Sequence, residues 1–111
     1  MGNTRMRVIS IERIEHFIKT HKRGNEAADA LRAWHREAKA AKWKNPEELK
    51  ARYPKARPVG KSNGVTIFNI KGNNFRLVAR IQYQAEVVKI EFIGTHAEYD
   101  EIDVGTVTWK S

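Results

Sequence analysis

Between residues 65 and 99 the chain alternates. Apolar and β-branched side chains fill three short runs, separated by Lys71-Gly72-Asn73-Asn74 and by Tyr83-Gln84-Ala85-Glu86. Runs of that length, broken by polar tetrads, predict a three-stranded meander. In the middle run Phe75, Leu77, Ala79 and Ile81 point one way, while Asn74, Arg76, Val78 and Arg80 point the other, because strand side chains alternate. The first set is apolar enough to bury. The second carries two guanidinium groups, roughly 13 Å apart at ~3.3 Å per residue, so one bound polyanion can meet both.

Upstream the period changes from two to about 3.6. Residues 6–10 predict a short edge strand. Ile11, Ile14, Phe17 and Ile18 then share a helical face, and a helix is expected from a Ser10 cap through Thr20, closed by Gly24. His21-Lys22-Arg23 would complement the dipole of its last turn. Ala27, Leu31, Trp34, Ala38 and Ala41 recur at steps of three and four, so a second helix follows and its stripe can cover the buried face of the meander. Arg32, Arg36 and Lys39 lie opposite, as a solvated basic surface. Asn45-Pro46-Glu47-Glu48 supplies a cap, a first-turn proline and a capping-box glutamate for a third, short helix ending near Tyr53. Residues 55–64 form a loop bearing Lys55, Arg57 and Lys61. Thr95 and Glu98 have capping-box spacing, which predicts a short C-terminal helix. The expected class is α+β: an N-terminal strand and helices on one face of a small antiparallel sheet. One domain spans residues 6–103, with an extension at 1–5 and a tail at 104–111 whose apolar run could add an edge strand.

Charge narrows the partner. The 111 residues include 21 Lys and Arg against 13 Asp and Glu, a formal net charge of +8. Such an excess points to a polyanion, nucleic acid first. Cysteine is absent, which excludes disulfides and thiolate metal sites. His16 and His21 are five apart, the wrong spacing for one helical face, and His35 lacks a partner, so neither metal nor cofactor is expected. No run has the length of a membrane span and the first residues lack the core of a signal peptide, so a cytoplasmic location is expected, with Met6 as an alternative start. Gly60-Lys61-Ser62 fails as a phosphate loop because Lys55 stands where the first glycine is required.

Candidate chemistry gathers at the end of the meander. His96 and Tyr99 are three apart and would be neighbours on one helical face. Free N–H groups at that helix start could hold a phosphate. Metal-free phosphodiester chemistry needs a base for the attacking hydroxyl, positive charge for the phosphorane and an acid for the leaving oxygen. His96, as an imidazole, could serve as base or acid. Arg76 and Arg80 would hold the scissile phosphate and stabilise developing charge. Tyr99 could donate to a phosphate oxygen, orient His96 or stack on a base. Lys55, Arg57, Lys61, Lys71 and Asn74 are candidate RNA contacts, and Asn74 also closes its turn.

Four stretches carry a resemblance: MRVIS, LRAWHREAKAAKWKNPEELKARYP, FNIKGNNFRLVARI and FIGTHAEYD. In that order they resemble the HigB-type toxins of bacterial type II toxin–antitoxin systems, which are similar to the RelE and ParE superfamily. The resemblance implies a RelE-like fold and a ribosome-dependent endoribonuclease that cleaves mRNA. It also implies a HigA-like helix-turn-helix antitoxin as partner, with operator DNA met only through that complex and no membrane involved. Asn74, Arg76, Arg80, His96 and Tyr99 are the positions inside the matching motifs. Two alternatives come from other classes: a ParE-like gyrase inhibitor and a non-catalytic RNA-binding module.

Overall fold

The meander forms as its alternation requires. In the computed structural model, which describes residues 6–59 and 64–102, strands β3 (Val65–Ile70), β4 (Phe75–Gln82) and β5 (Val87–Thr95) run antiparallel around turns at 71–74 and 83–86. The sheet is wider than the three strands and mixed in direction. Strand β1 (Arg7–Ile9) pairs parallel with β5, and a two-residue β2 (Arg57–Pro58) lines β3, giving the order β1-β5-β4-β3-β2. The expected antiparallel sheet therefore gains a parallel edge. The α1–α2–α3 segment carries the chain from β1 to the far side of the sheet, so β1 is free to run beside β5 in the same direction.

Helices α1 (Glu12–Thr20), α2 (Gly24–Ala40) and α3 (Pro46–Arg52) cover one face of the sheet. Ile14, Phe17, Ala27, Leu31, Trp34, Ala38 and Leu49 are buried from the helices, against Phe68, Ile70, Phe75, Leu77, Ala79 and Ile81 from the strands. Phe68 is the hub: Trp34 and Tyr53 meet it edge-on at 5.4 and 5.2 Å between centroids, and Trp43 stacks at 6.4 Å. Among the described residues no helix is long and apolar enough to cross a membrane. The extension at 1–5, residue 103 and the tail run fall outside the described residues.

Two caps differ from expectation. Ser10 has φ 65°, a left-handed conformation in which its side chain makes no cap; its carbonyl instead accepts from Arg13 N–H at 3.0 Å, and α1 starts after Ile11. Gly24 does not close α1. It opens α2, where a Cβ would stand 2.5 Å from the carbonyl oxygen of Phe17 and 2.3 Å from that of Ile18. The glycine is there for close approach of two backbones, with no rotamer able to relieve a clash. Gly24→Ala should thus cost roughly 1–3 kcal/mol, the usual penalty of overpacking, read as a lowered urea midpoint. The α3 cap is as predicted: Asn45 Oδ1 accepts from Glu48 N–H at 2.9 Å, although the Glu48 carboxylate reaches back to Lys44 N–H rather than to Asn45.

A polar knot closes the helical layer beside the core. The Tyr53 hydroxyl donates to Glu37, whose other oxygen accepts from Arg52 at 2.5 Å. Burial, then the hydrogen bond to Glu37, pushes the Tyr53 phenol well above its ordinary value of 10.0. The unfolded chain therefore loses this proton first, and the contribution is complete below about pH 10 and lost as pH rises toward the folded-state value. Tyr53→Phe should be less stable at neutral pH and should lose less stability than the parent above pH ~10, as followed by urea unfolding across alkaline pH.

Candidate active site

The sheet face turned away from the helices is the one that carries the candidate chemistry. Val65, Ile67 and Val78 are buried on it, with Val59, Phe92 and Tyr99 packed around them, so a small apolar cluster lies between the arginines. Pairing fixes their places: Arg57 opposite Ile67, Arg76 between Asn69 and Gly94, and Arg80 between Val65 and Lys89. Gly94 leaves the flank of Arg76 without a side chain, and a Cβ there would meet the Phe92 ring at 2.6 Å.

Tyr99 is what draws the cations together. It stands on α4 (His96–Asp100), which turns back from the end of β5 so that its half-buried ring packs on the apolar cluster. Arg57 Nη2 donates to its hydroxyl at 2.8 Å, and the Arg76 guanidinium lies 5.9 Å from its ring centroid, within cation–π range. Arg76 is only 9% exposed, because its Nη1 donates to the carbonyls of Asn73 and Phe75 and its Nη2 donates to Asn73 Oδ1 at 2.9 Å. All three acceptors are neutral. Among the described residues neither Arg57 nor Arg76 pairs with a carboxylate, so the phenol sits between two positive charges that no nearby anion offsets.

Arg80 shares the face but not that condition. Its Nε donates to Glu91 Oε2 at 3.2 Å, and Glu91 is 5% exposed. The register explains the contact: Val78 faces Phe92 and Ala79 faces Ile90, so Glu91 is the extra residue of a β-bulge, a device that re-aims a side chain. The sequence reading missed Glu91, since nothing in an alternating run marks where the ladder slips.

The start of α4 is tightly occupied. Thr95 Oγ1 accepts from Glu98 N–H at 3.1 Å, Glu98 returns the bond to Thr95 N–H at 2.9 Å, and His96 N–H donates to the Asn74 carbonyl at 3.0 Å. These groups are not free to hold a phosphate, which corrects that expectation. The Glu98 carboxylate also takes His21 Nε2 at 3.0 Å. Because His21 Nδ1 accepts from Arg23 N–H at 2.9 Å, the ring proton belongs on Nε2, pointed at Glu98. Burial raises the Glu98 carboxyl, but its bonds from Thr95 and His21 outweigh this and hold it below its ordinary value.

The remaining candidates are dispersed. The His96 ring is exposed on α4, with Nδ1 3.2 Å from Asp100 Oδ2, a partner that the four-residue spacing could have suggested. Asn74 is exposed, closes the turn by donating to the Lys71 carbonyl at 3.2 Å, and accepts from His96 through its own carbonyl. Lys71 is exposed in the same turn at φ 54°. Lys55 lines a separate cavity beyond α3, and Lys61 lies outside the described residues.

A helical layer on one face of a five-stranded sheet, with arginines and a phenol on the other, is the layout of a small RelE-like α+β protein. Residues 27–102 match the family model described as HigB_toxin, RelE-like toxic component of a toxin-antitoxin system, and the chain belongs to that family. All of the candidate residues from Lys55 to Tyr99 fall inside that match. The chain is similar to mRNA interferase HigB of Escherichia coli O6:H1, 29% identical over 73 residues, which is 66% of this chain and 71% of the relative. It is also similar to mRNA interferase toxin HigB of Escherichia coli strain K12, 34% identical over 58 residues, or 52% and 56% of the two chains. A Shigella flexneri mRNA interferase HigB matches over the same extent. Against these last two the matched stretch spans about half of the relative's length.

Proposed function

We propose that this toxin is an mRNA interferase that cuts the message on the translating ribosome and is silenced by a HigA-like antitoxin. The observation that carries the proposal is the Tyr99 phenol held between Arg57 and Arg76, with no carboxylate paired to either among the described residues. A phosphodiester laid on this face meets positive charge and a hydroxyl donor together. The Tyr99 oxygen already accepts from Arg57, so its own hydrogen is available to a phosphate oxygen.

In the proposed reaction the 2′-oxygen attacks phosphorus as its proton passes to a base. The bond from phosphorus to the 5′-oxygen then breaks, that oxygen takes a proton from an acid, and a 2′,3′-cyclic phosphate remains. His96 is assigned to proton transfer through Nε2, with Asp100 holding Nδ1. Arg57 and Arg76 stabilise the phosphorane. Arg80, its charge offset by Glu91, is given the neighbouring backbone. Lys71 and Asn74 border this surface on the turn, and Lys55 and Lys61 are retained as candidate RNA contacts.

The test is to add purified protein to a translating extract and to map new 5′ ends on the message. Cleavage by the parent and a loss of at least about 10²-fold in His96→Ala is expected, the usual worth of a general acid or base. Intact messages with parent and variant alike would reject the assignment, and double-strand DNA damage in their place would favour a gyrase inhibitor. Co-expression with a helix-turn-helix antitoxin should abolish the cutting.

A further inference from the structure

Among the described residues Glu91 is the only buried carboxylate, at 5% exposure. Burying an ion costs free energy that its partner offsets only in part, so such a pair is a poor source of stability. What it does fix is direction. Glu91 takes the Arg80 guanidinium by Nε alone, at 3.2 Å. Nη1 and Nη2 meet no acceptor among the described residues and the side chain is partly exposed, so the remaining N–H donors face outward in a plane that the carboxylate sets.

Arg80 needs an anchor because of its neighbours. Lys89 stands directly opposite it across the β4–β5 ladder, exposed and on the same face, and like charges placed in this way repel. Arg13 of α1 is a further cation that feels the carboxylate: burial pulls its guanidinium below the ordinary value, and the Glu91 charge opposes this. The bulge between Val78 and Ala79 supplies the extra residue that answers these cations. Arg80 lies four positions along β4 from Arg76, and alternation puts both on one face. An RNA backbone with one phosphate on Arg57, Arg76 and Tyr99 can therefore continue over Arg80.

We propose that Glu91 is a positioning residue for RNA: it holds Arg80 by Nε against the repulsion of Lys89, so that both Nη groups meet a phosphate next to the scissile one. This rests on the RNA-cleaving reading for its use, whereas the aim itself is measured by binding rather than by cutting.

The experiment follows a fluorescent 2′-O-methyl oligoribonucleotide, which cannot be cut, as it binds full-length parent, Glu91→Gln, Arg80→Ala and the double variant. Glutamine keeps the size of the side chain and removes a negative charge, so an effect of charge alone would tighten binding. Loss of aim has the opposite sign. Glu91→Gln should bind about tenfold more weakly, the worth of one hydrogen bond to a charged group, and the change should vanish in the Arg80→Ala background. Arg80→Lys checks the same point without altering the carboxylate: one ammonium cannot hold Glu91 and present a fork to phosphate, so its binding should also fall about tenfold. In isotopically labelled protein the Arg80 Nε–H resonance should move toward those of exposed arginines in Glu91→Gln. Tighter or unchanged binding by Glu91→Gln overturns the proposal. So do Arg80→Lys at the parental affinity, a Glu91→Gln loss that persists without Arg80, an unmoved Arg80 resonance, or a parent that does not bind the oligonucleotide. The expected pattern in a protein that leaves messages intact in the extract keeps the positioning role and rejects the cleavage proposed above.

Discussion

Tyr99→Phe is expected to lower RNA cleavage by about 10²–10³-fold, the cost of removing one well-placed donor to developing charge. Its effect on stability should stay within about 1 kcal/mol, the worth of one exposed hydrogen bond. The two effects separate because the ring and the hydroxyl do different jobs. The ring packs on Val65, Ile67 and Val78 and keeps Arg76 company through its π-face, and phenylalanine preserves both. The hydroxyl is the acceptor for Arg57 and the proposed donor to phosphate, and phenylalanine removes it. Comparing cleavage rates with urea midpoints for parent and variant checks the split. A variant that cuts at the parental rate would remove the phenol from the chemistry. Arg76→Ala is the less informative change, because the same guanidinium ties down the turn through Asn73 and Phe75.

The largest loss of stability should follow Phe68→Ala, at about 3–5 kcal/mol. Phe68 is 1% exposed and touches the rings of Trp34, Trp43 and Tyr53, so its removal leaves a void bounded by three rigid aromatics that cannot collapse into it. Set against a typical total of roughly 5–15 kcal/mol for a domain, this is enough to leave the variant marginal at 37 °C. Urea unfolding read by tryptophan fluorescence gives the number, since Trp34 and Trp43 report directly on the site. A shift below about 1.5 kcal/mol, the scale of a conservative core change, would mean that the rings reorganise around the gap.

What could be read in the sequence was local. The turns at 71–74 and 83–86, the two faces of β4, the Asn45 cap and the Thr95–Glu98 capping box all express chemistry within a few residues of themselves, and each is found as expected. The misread positions are those where one local sign has two causes. A glycine after a helical run can end that helix or let the next one approach, and Gly24 does the second. A serine before a helical run can cap it or turn the chain, and Ser10 does the second. The parallel pairing of β1 with β5 is a contact over some eighty positions that no pattern near Arg7 announces. The site divides in the same way. Arg76 and Tyr99 stood out within their own motifs, whereas the bond that unites Tyr99 with Arg57 spans 42 residues, and that from His21 to Glu98 spans 77.

That last bond ties the bend after α1 to the helix that follows β5. Five residues are too few to sustain a helix by themselves, so α4 depends on what holds it: the packing of Tyr99 on the apolar cluster, the Asn74 carbonyl, Arg57, and His21 in the bend joining α1 and α2. A change at His21 is therefore felt at the start of the helix that carries His96 and Tyr99.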